Sequence, residues 1–287
     1  MRNPFPRIGK VIKYEFKHSA RTLLPLYGVL LILGLLTGLS VNRNKYDKLM
    51  SSMFNNESFS YSVQGQEAAA DFISAMLALA VMALTIAVSV ITIVGLARRF
   101  KQSMLGEEAY LNLSLPLTMG EQLWGRMIMD FLWLLCCGVV ICLSFLLCFV
   151  KMNLPEIFAE IRRQIPELNE TLMQSNLSIA KVSGLFTLLG ITTGLWIISF
   201  IFVANAITHL FKNNRGLVKI IAVIALLWLA GRSMDLFTID MDAEFIRLNG
   251  GIFFVKNMLI ASGINLLWAA IYFAFTQFVF TKKLNLE

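Results

Sequence analysis

Residues 72–101 read FISAMLALAVMALTIAVSVITIVGLARRFK, a long uncharged apolar run closed by two arginines, a phenylalanine and a lysine. About 20 apolar residues in a helix cross the hydrocarbon core of a bilayer, so the stretch predicts a membrane-spanning helix over 72–97. Its apolarity is continuous and does not alternate with polar residues, which selects a helix over a barrel strand. Five further runs, at 23–41, 127–150, 184–211, 217–238 and 258–280, read the same way. The last is the least clean, because Lys256 and Asn257 interrupt an apolar stretch that begins at Ile252. The expected fold class is all-α: a polytopic membrane protein of six transmembrane helices, forming a single transmembrane domain over residues 1–287.

Composition agrees. The chain is 57% hydrophobic and 15% charged with a mean hydropathy of +0.70, whereas soluble domains are roughly 45–50% apolar. All four cysteines, Cys136, Cys137, Cys142 and Cys148, fall in the third run and read as small packing residues. No Cys or His spacing indicates a metal site. The first apolar run starts only at Leu23, after a basic segment and with no small-residue cleavage motif, so no cleavable signal peptide is expected.

Charge gives the orientation. With the N-terminus placed in the cytoplasm, segments 1–22, 98–126, 212–219 and 281–287 carry fifteen Lys and Arg against five acids. The opposite side carries ten against twelve, and Asp130 lies just inside the third span. This is the bias of the positive-inside rule, so both termini are expected in the cytoplasm. The net charge of +7 is then a topology signal, and no nucleic-acid partner is expected.

Ahead of the first span, Arg7, Lys10, Lys13, Lys17 and Arg21 recur at helical spacing and form one stripe, with Ile8, Val11, Ile12 and Phe16 opposite. That pattern predicts an interfacial helix within 1–22, its basic stripe toward the headgroups of inner-leaflet membrane lipid. Glu15 lies near the apolar stripe, and nothing in the local sequence pairs with it. A second amphipathic segment lies in the external connection 151–183, where Ile157, Phe158, Ile161 and Ile165 share a face ahead of Pro166.

The connection 98–126 is the one large internal loop. Within it, Gly106, Glu107, Glu108, Ala109, Tyr110 and Leu111 read as one or two helical turns, with acids near the N-terminus where the helix dipole favours them. Pro116 closes the stretch, and Arg126 and Asp130 follow at i, i+4 spacing, near enough to pair. A short helix with apolar and acidic side chains, held by the ends of two spans, suits contact with a partner; packing against the protein's own inner surface suits it equally.

Two stretches, KYEFKHSARTLLPLY (13–27) and RRFKQSMLGEEAYLNLSLPLTMGEQLWGRMI (98–128), cover about a sixth of the chain. In these, and in its six-span topology, the chain resembles permease subunits of ATP-binding-cassette transporters of the type-2 exporter class, especially those common in Gram-positive bacteria. The resemblance implies a coupling helix in the first cytoplasmic loop that docks on an ATPase subunit, a role falling by position on Gly106, Glu107, Glu108, Ala109, Tyr110 and Leu111. The turn 212–216 would be a lesser contact. It also implies two permeases, as a homodimer or a heterodimer, with two nucleotide-binding ATPase subunits that hold ATP and Mg. No cofactor is expected in this chain itself, which has no GxxxxGK[ST] phosphate loop. Export as the direction of transport follows from the resemblance alone.

Two rival classes remain readable. An intramembrane protease with a Glu-Glu-x-x-x-Arg motif is matched only by the acids of EEAYLN, with Asn112 where the arginine belongs. HExxH and GxSxG are absent, and the only histidines, His18 and His209, are far apart in sequence. An ATP-independent secondary transporter or channel would bury ionisable groups along its path. Here Asp130, Arg232 and Asp235 lie near span ends, and the mid-span polar residues, Asn205 and Asn265, are neutral and suit helix–helix hydrogen bonds. Trp196, Trp228 and Trp268 suit an amphipathic or hydrophobic substrate and plain packing alike, so no substrate-binding residue is assigned.

Overall fold

The computed structural model describes residues 5–40, 65–106, 118–150, 154–174, 177–211, 215–237 and 243–282. Seven helices account for nearly all of them: α1 Phe5–Ser40, α2 Gly65–Leu105, α3 Met119–Cys148, α4 Leu154–Gln174, α5 Ile179–His209, α6 Arg215–Phe237 and α7 Ala243–Lys282. Every one except α4 contains a segment long and apolar enough to cross a membrane, at Ser19–Ser40, Met76–Leu105, Met119–Cys148, Ile179–His209, Gly216–Ser233 and Gly251–Lys282. The all-α polytopic class expected from the sequence is what the structure has.

Helix is the outcome that apolar surroundings require, because each backbone N–H and C=O must be satisfied within its own segment. The hydroxyls obey the same rule. Thr37, Thr85, Ser89, Thr92, Thr187 and Thr276 each donate to the carbonyl four residues earlier, at 2.8 Å, so these six hydroxyls ride in apolar helices with their donors met.

Helix ends depart from the predicted spans where local chemistry carries the helix further. Lys256 and Asn257 do not interrupt α7, which runs through both, with Lys256 exposed. α1 continues unbroken from Phe5 through Pro25 to Ser40, so no break separates the expected interfacial segment 1–22 from the first span. α4 likewise continues past Pro166 to Gln174. α3 begins well before the predicted 127, because Thr118 and Glu121 form a capping box: the Thr118 backbone N–H donates to the Glu121 carboxylate at 2.9 Å, and the Glu121 N–H donates to the Thr118 hydroxyl at 3.3 Å.

The described residues divide into two compact units. One comprises Lys17–Ile93 with Trp133–Arg163. In it, α1 lies against α3 at Gly34 and Gly38: a Cβ at Gly34 would stand 2.6 Å from the Ser144 hydroxyl and 2.7 Å from its carbonyl, and one at Gly38 would collide with the Leu147 carbonyl. Small residues four apart let backbones approach in this way. The Ser144 hydroxyl donates to the Leu30 carbonyl at 3.2 Å. Tyr27, buried, sets its hydroxyl 3.3 Å from that of Thr92 and donates to the Trp133 carbonyl at 3.5 Å.

The other unit comprises Met1–Phe16, Val94–Leu132 and Gln164–Glu287, with α5 at its centre. Ile198, Phe202 and Ala206 of α5 are fully buried. Phe100 from the end of α2 stacks on Phe202 with ring centroids 4.1 Å apart and meets Phe280 of α7 edge-on at 5.9 Å. Asn265 of α7 donates to the Thr193 hydroxyl of α5 at 3.0 Å, and Trp268 donates to the Ser233 hydroxyl of α6 at 2.7 Å. The N-terminus of α5 is capped twice, by the Ser178 hydroxyl accepting from Lys181 N–H at 3.3 Å and by the Asn169 side chain of α4 accepting from Ile179 N–H at 3.2 Å.

Candidate functional site

The second unit carries a charged cluster built from three helices. Arg99 lies two turns before the end of α2, Arg126 two turns after the start of α3, and Glu15 on α1. α2 and α3 are joined by 107–117, so residues near the end of one and the start of the other fall side by side. Arg99 donates from Nη2 to Glu15 Oε2 and forms an ion pair with it. The other Glu15 oxygen, Oε1, lies 3.6 Å from Arg126 Nη2. One carboxylate thus serves a guanidinium from each side of the connection.

Ser103 completes the bridge. Its hydroxyl accepts from Arg126 Nη1 and donates to the Arg99 carbonyl at 2.9 Å. Asp130, one turn further along α3 and 8% exposed, lies within electrostatic reach of Glu15, Arg99 and Arg126. Two acids and two arginines therefore share a mostly buried site, and Phe100, Met104 and Leu123 on the same helices are buried as well. A low local dielectric strengthens such pairs and makes any unmatched member costly.

This cluster was only half readable. The Arg126–Asp130 spacing marks one helix face, but the partners of Glu15 come from helices distant in sequence, and no local periodicity announces them. The expected contact residues fall at its edge. Gly106 is exposed just past the end of α2, its N–H donating to the Gln102 carbonyl at 3.2 Å. Glu107, Glu108, Ala109, Tyr110 and Leu111 lie outside the described residues, as do 212–214 of the second turn. Arg7, Lys10 and Lys13 fall on α1 with side chains outside the described set, while Lys17 and Arg21 are exposed.

The neutral polar residues make the helix–helix bonds expected of them. Asn265 bonds Thr193, and Asn205 of α5 accepts from Lys219 Nζ of α6 at 3.2 Å. Cys137 is buried and Cys142 exposed, and all four cysteines are free thiols. Among the described residues, no three His, Cys, Asp or Glu side chains converge on a point that would hold a metal ion.

No family model, curated protein or solved structure matches this chain. What its fold defines is a class: a multi-pass, all-α membrane protein with six helices able to span a bilayer.

Proposed function

We propose that this chain is the membrane-spanning permease subunit of an ATP-binding-cassette exporter, set in the cytoplasmic membrane with both termini inside. A separate ATPase subunit binds ATP and Mg, and a second permease, identical or related, completes the pathway for an amphipathic or hydrophobic substrate. The observation that carries the reading is the Glu15–Arg99–Arg126 cluster. It ties α1 to both helices flanking the 107–117 connection, so a push on that connection moves two helix ends and α1 together. A two-state element biased through one contact is what coupling to nucleotide requires. Residues Gly106, Glu107, Glu108, Ala109, Tyr110 and Leu111 form the docking segment in this reading.

The experiment is co-purification. The C-terminally tagged chain is extracted in mild detergent beside a Glu107→Ala, Glu108→Ala, Tyr110→Ala variant, and partners are quantified by mass spectrometry. A stoichiometric subunit bearing a phosphate loop, lost in the variant, supports the reading. A chain that emerges without one sinks it.

One observation favours a second reading, an ATP-independent transporter. Asp130 is a buried carboxyl in an apolar helix, and ionisable groups in that position commonly mark ion or proton pathways. In proteoliposomes without ATP, proton-driven flux abolished by Asp130→Asn would support that alternative.

A further inference from the structure

α4 is the one described helix without a membrane-spanning segment, and its two sides differ in chemistry. At 3.6 residues per turn, Ile157, Phe158, Ile161, Ile165, Leu168 and Leu172 fall within an arc of about 100°. The rest of the circumference carries Glu156, Glu160, Arg162, Arg163, Glu167 and Glu170. On the apolar side Ile165 is 46% exposed and Leu168 54%. On the other side Arg162, Arg163, Glu167 and Glu170 are exposed too. Both faces are thus open, and one of them is unsuited to water.

Chain connectivity decides what covers the apolar side. α4 joins two spans, α3 and α5, through residues 149–153 and 175–178. Even fully extended, those links keep its ends within about 20 Å of a span. At its C-terminal end the hold is direct. Asn169 accepts from the Ile179 N–H at 3.2 Å, and the Leu177 N–H donates to the Leu172 carbonyl at 2.9 Å. Asn169 follows Ile165 by one turn and borders the apolar arc, so α5 begins against that side of α4. The helix that enters the bilayer therefore departs from the apolar side.

We propose that α4 is an interfacial helix, its apolar side sunk into the lipid leaflet at which α3 ends and α5 begins, its charged side in water. Helices of this kind are held by apolar burial and by attraction of basic residues to anionic lipid. With four glutamates against two arginines, α4 has only the first hold, so neutral lipid suffices. The placement needs only that α3 and α5 span, and is independent of the permease assignment.

The test is photocrosslinking of the full chain in phosphatidylcholine vesicles, with benzoylphenylalanine placed at one position at a time. In place of Ile165 or Leu168 it should form lipid adducts, read by mass spectrometry, at yields near those in place of Ile224, a residue of α6 that is 62% exposed within a span. In place of Glu167 or Glu170, on the charged side, it should yield severalfold less. All five positions are exposed, and variants that elute as the wild type are compared. Exchanging phosphatidylcholine for phosphatidylglycerol should leave the yields unchanged, and dependence on the anionic lipid overturns apolar burial as the hold. Lipid adducts missing at Ile165 and Leu168, or equal at all four α4 positions, overturn the interfacial placement. Adducts there with a second copy of the chain, at twice the mass, overturn it as well and reassign the face to self-association.

Discussion

Glu15 and Arg99 stand 84 residues apart in sequence and form an ion pair that joins α1 to the end of α2. Both side chains are 17% exposed, and the same carboxylate lies 3.6 Å from Arg126 on α3. A single acid shared by two guanidiniums in partly buried surroundings is a point where removing the acid leaves two cations with less compensating charge, Asp130 being the other acid within reach.

Glu15→Gln should therefore destabilise the chain by about 3 kcal/mol, the lower end of the cost of orphaning a buried charge. Its amide still accepts one hydrogen bond, which keeps the effect at that end. Thermal unfolding in detergent provides the readout. Glu15→Gln combined with Arg99→Gln should cost less than the two singles together, by about 1–3 kcal/mol for groups in one network. Strict additivity would mean the pair contributes nothing.

Gly34 and Gly38 define a second sensitive spot. Gly38→Ala places a methyl against a backbone carbonyl that cannot rotate away, so overpacking by about 1–3 kcal/mol is expected. Gly34→Ala meets the Ser144 carbonyl as well as its hydroxyl and should behave similarly. Gly28→Ala and Gly190→Ala, with nothing within 4 Å of the added Cβ, serve as neutral comparisons. Equal melting temperatures for all four variants would refute the close approach of α1 and α3.

These two sites show what a sequence makes legible. Spans could be read because crossing a bilayer imposes a length and an apolarity on a contiguous segment, and both are local properties. The spacing Gly34-x-x-x-Gly38 is equally local, since small residues four apart are a known sign of close helix packing. The partners of Glu15 were not legible in principle, since antiparallel joining of α2 to α3 brings Arg99 and Arg126 together only after folding. The Lys256–Asn257 pair misled in the opposite direction, and α4 shows the same tolerance at Pro166. A proline removes one helical hydrogen bond and a lone polar pair removes none, so neither needs to end a helix that its neighbours favour.

Asn265 gives a smaller prediction. Its bond to Thr193 crosses from α7 to α5, and such bonds inside membrane proteins contribute about 0.6 kcal/mol on average. Asn265→Leu should thus shift stability by under about 2 kcal/mol, with Thr193→Val adding little once Asn265 is gone. Reversible unfolding in mixed micelles measures it. A collapse of the fold in Asn265→Leu would assign the residue more than a packing bond.

Docking and transmission should separate under the proposed assignment. The Glu107/Glu108/Tyr110 alanine variant removes groups that touch the ATPase, so it should lose the partner and with it ATP hydrolysis by the complex. Glu15→Gln leaves that segment intact and loosens the helix ends behind it. It should keep the partner at wild-type stoichiometry and still hydrolyse ATP, yet move less substrate per ATP consumed. The comparison is made at a temperature where Glu15→Gln remains folded, with hydrolysis and lipid-vesicle transport measured on the same preparation. Loss of the partner in Glu15→Gln would place the cluster in docking, whereas an unchanged transport-to-hydrolysis ratio would reduce it to a structural ion pair with no part in coupling.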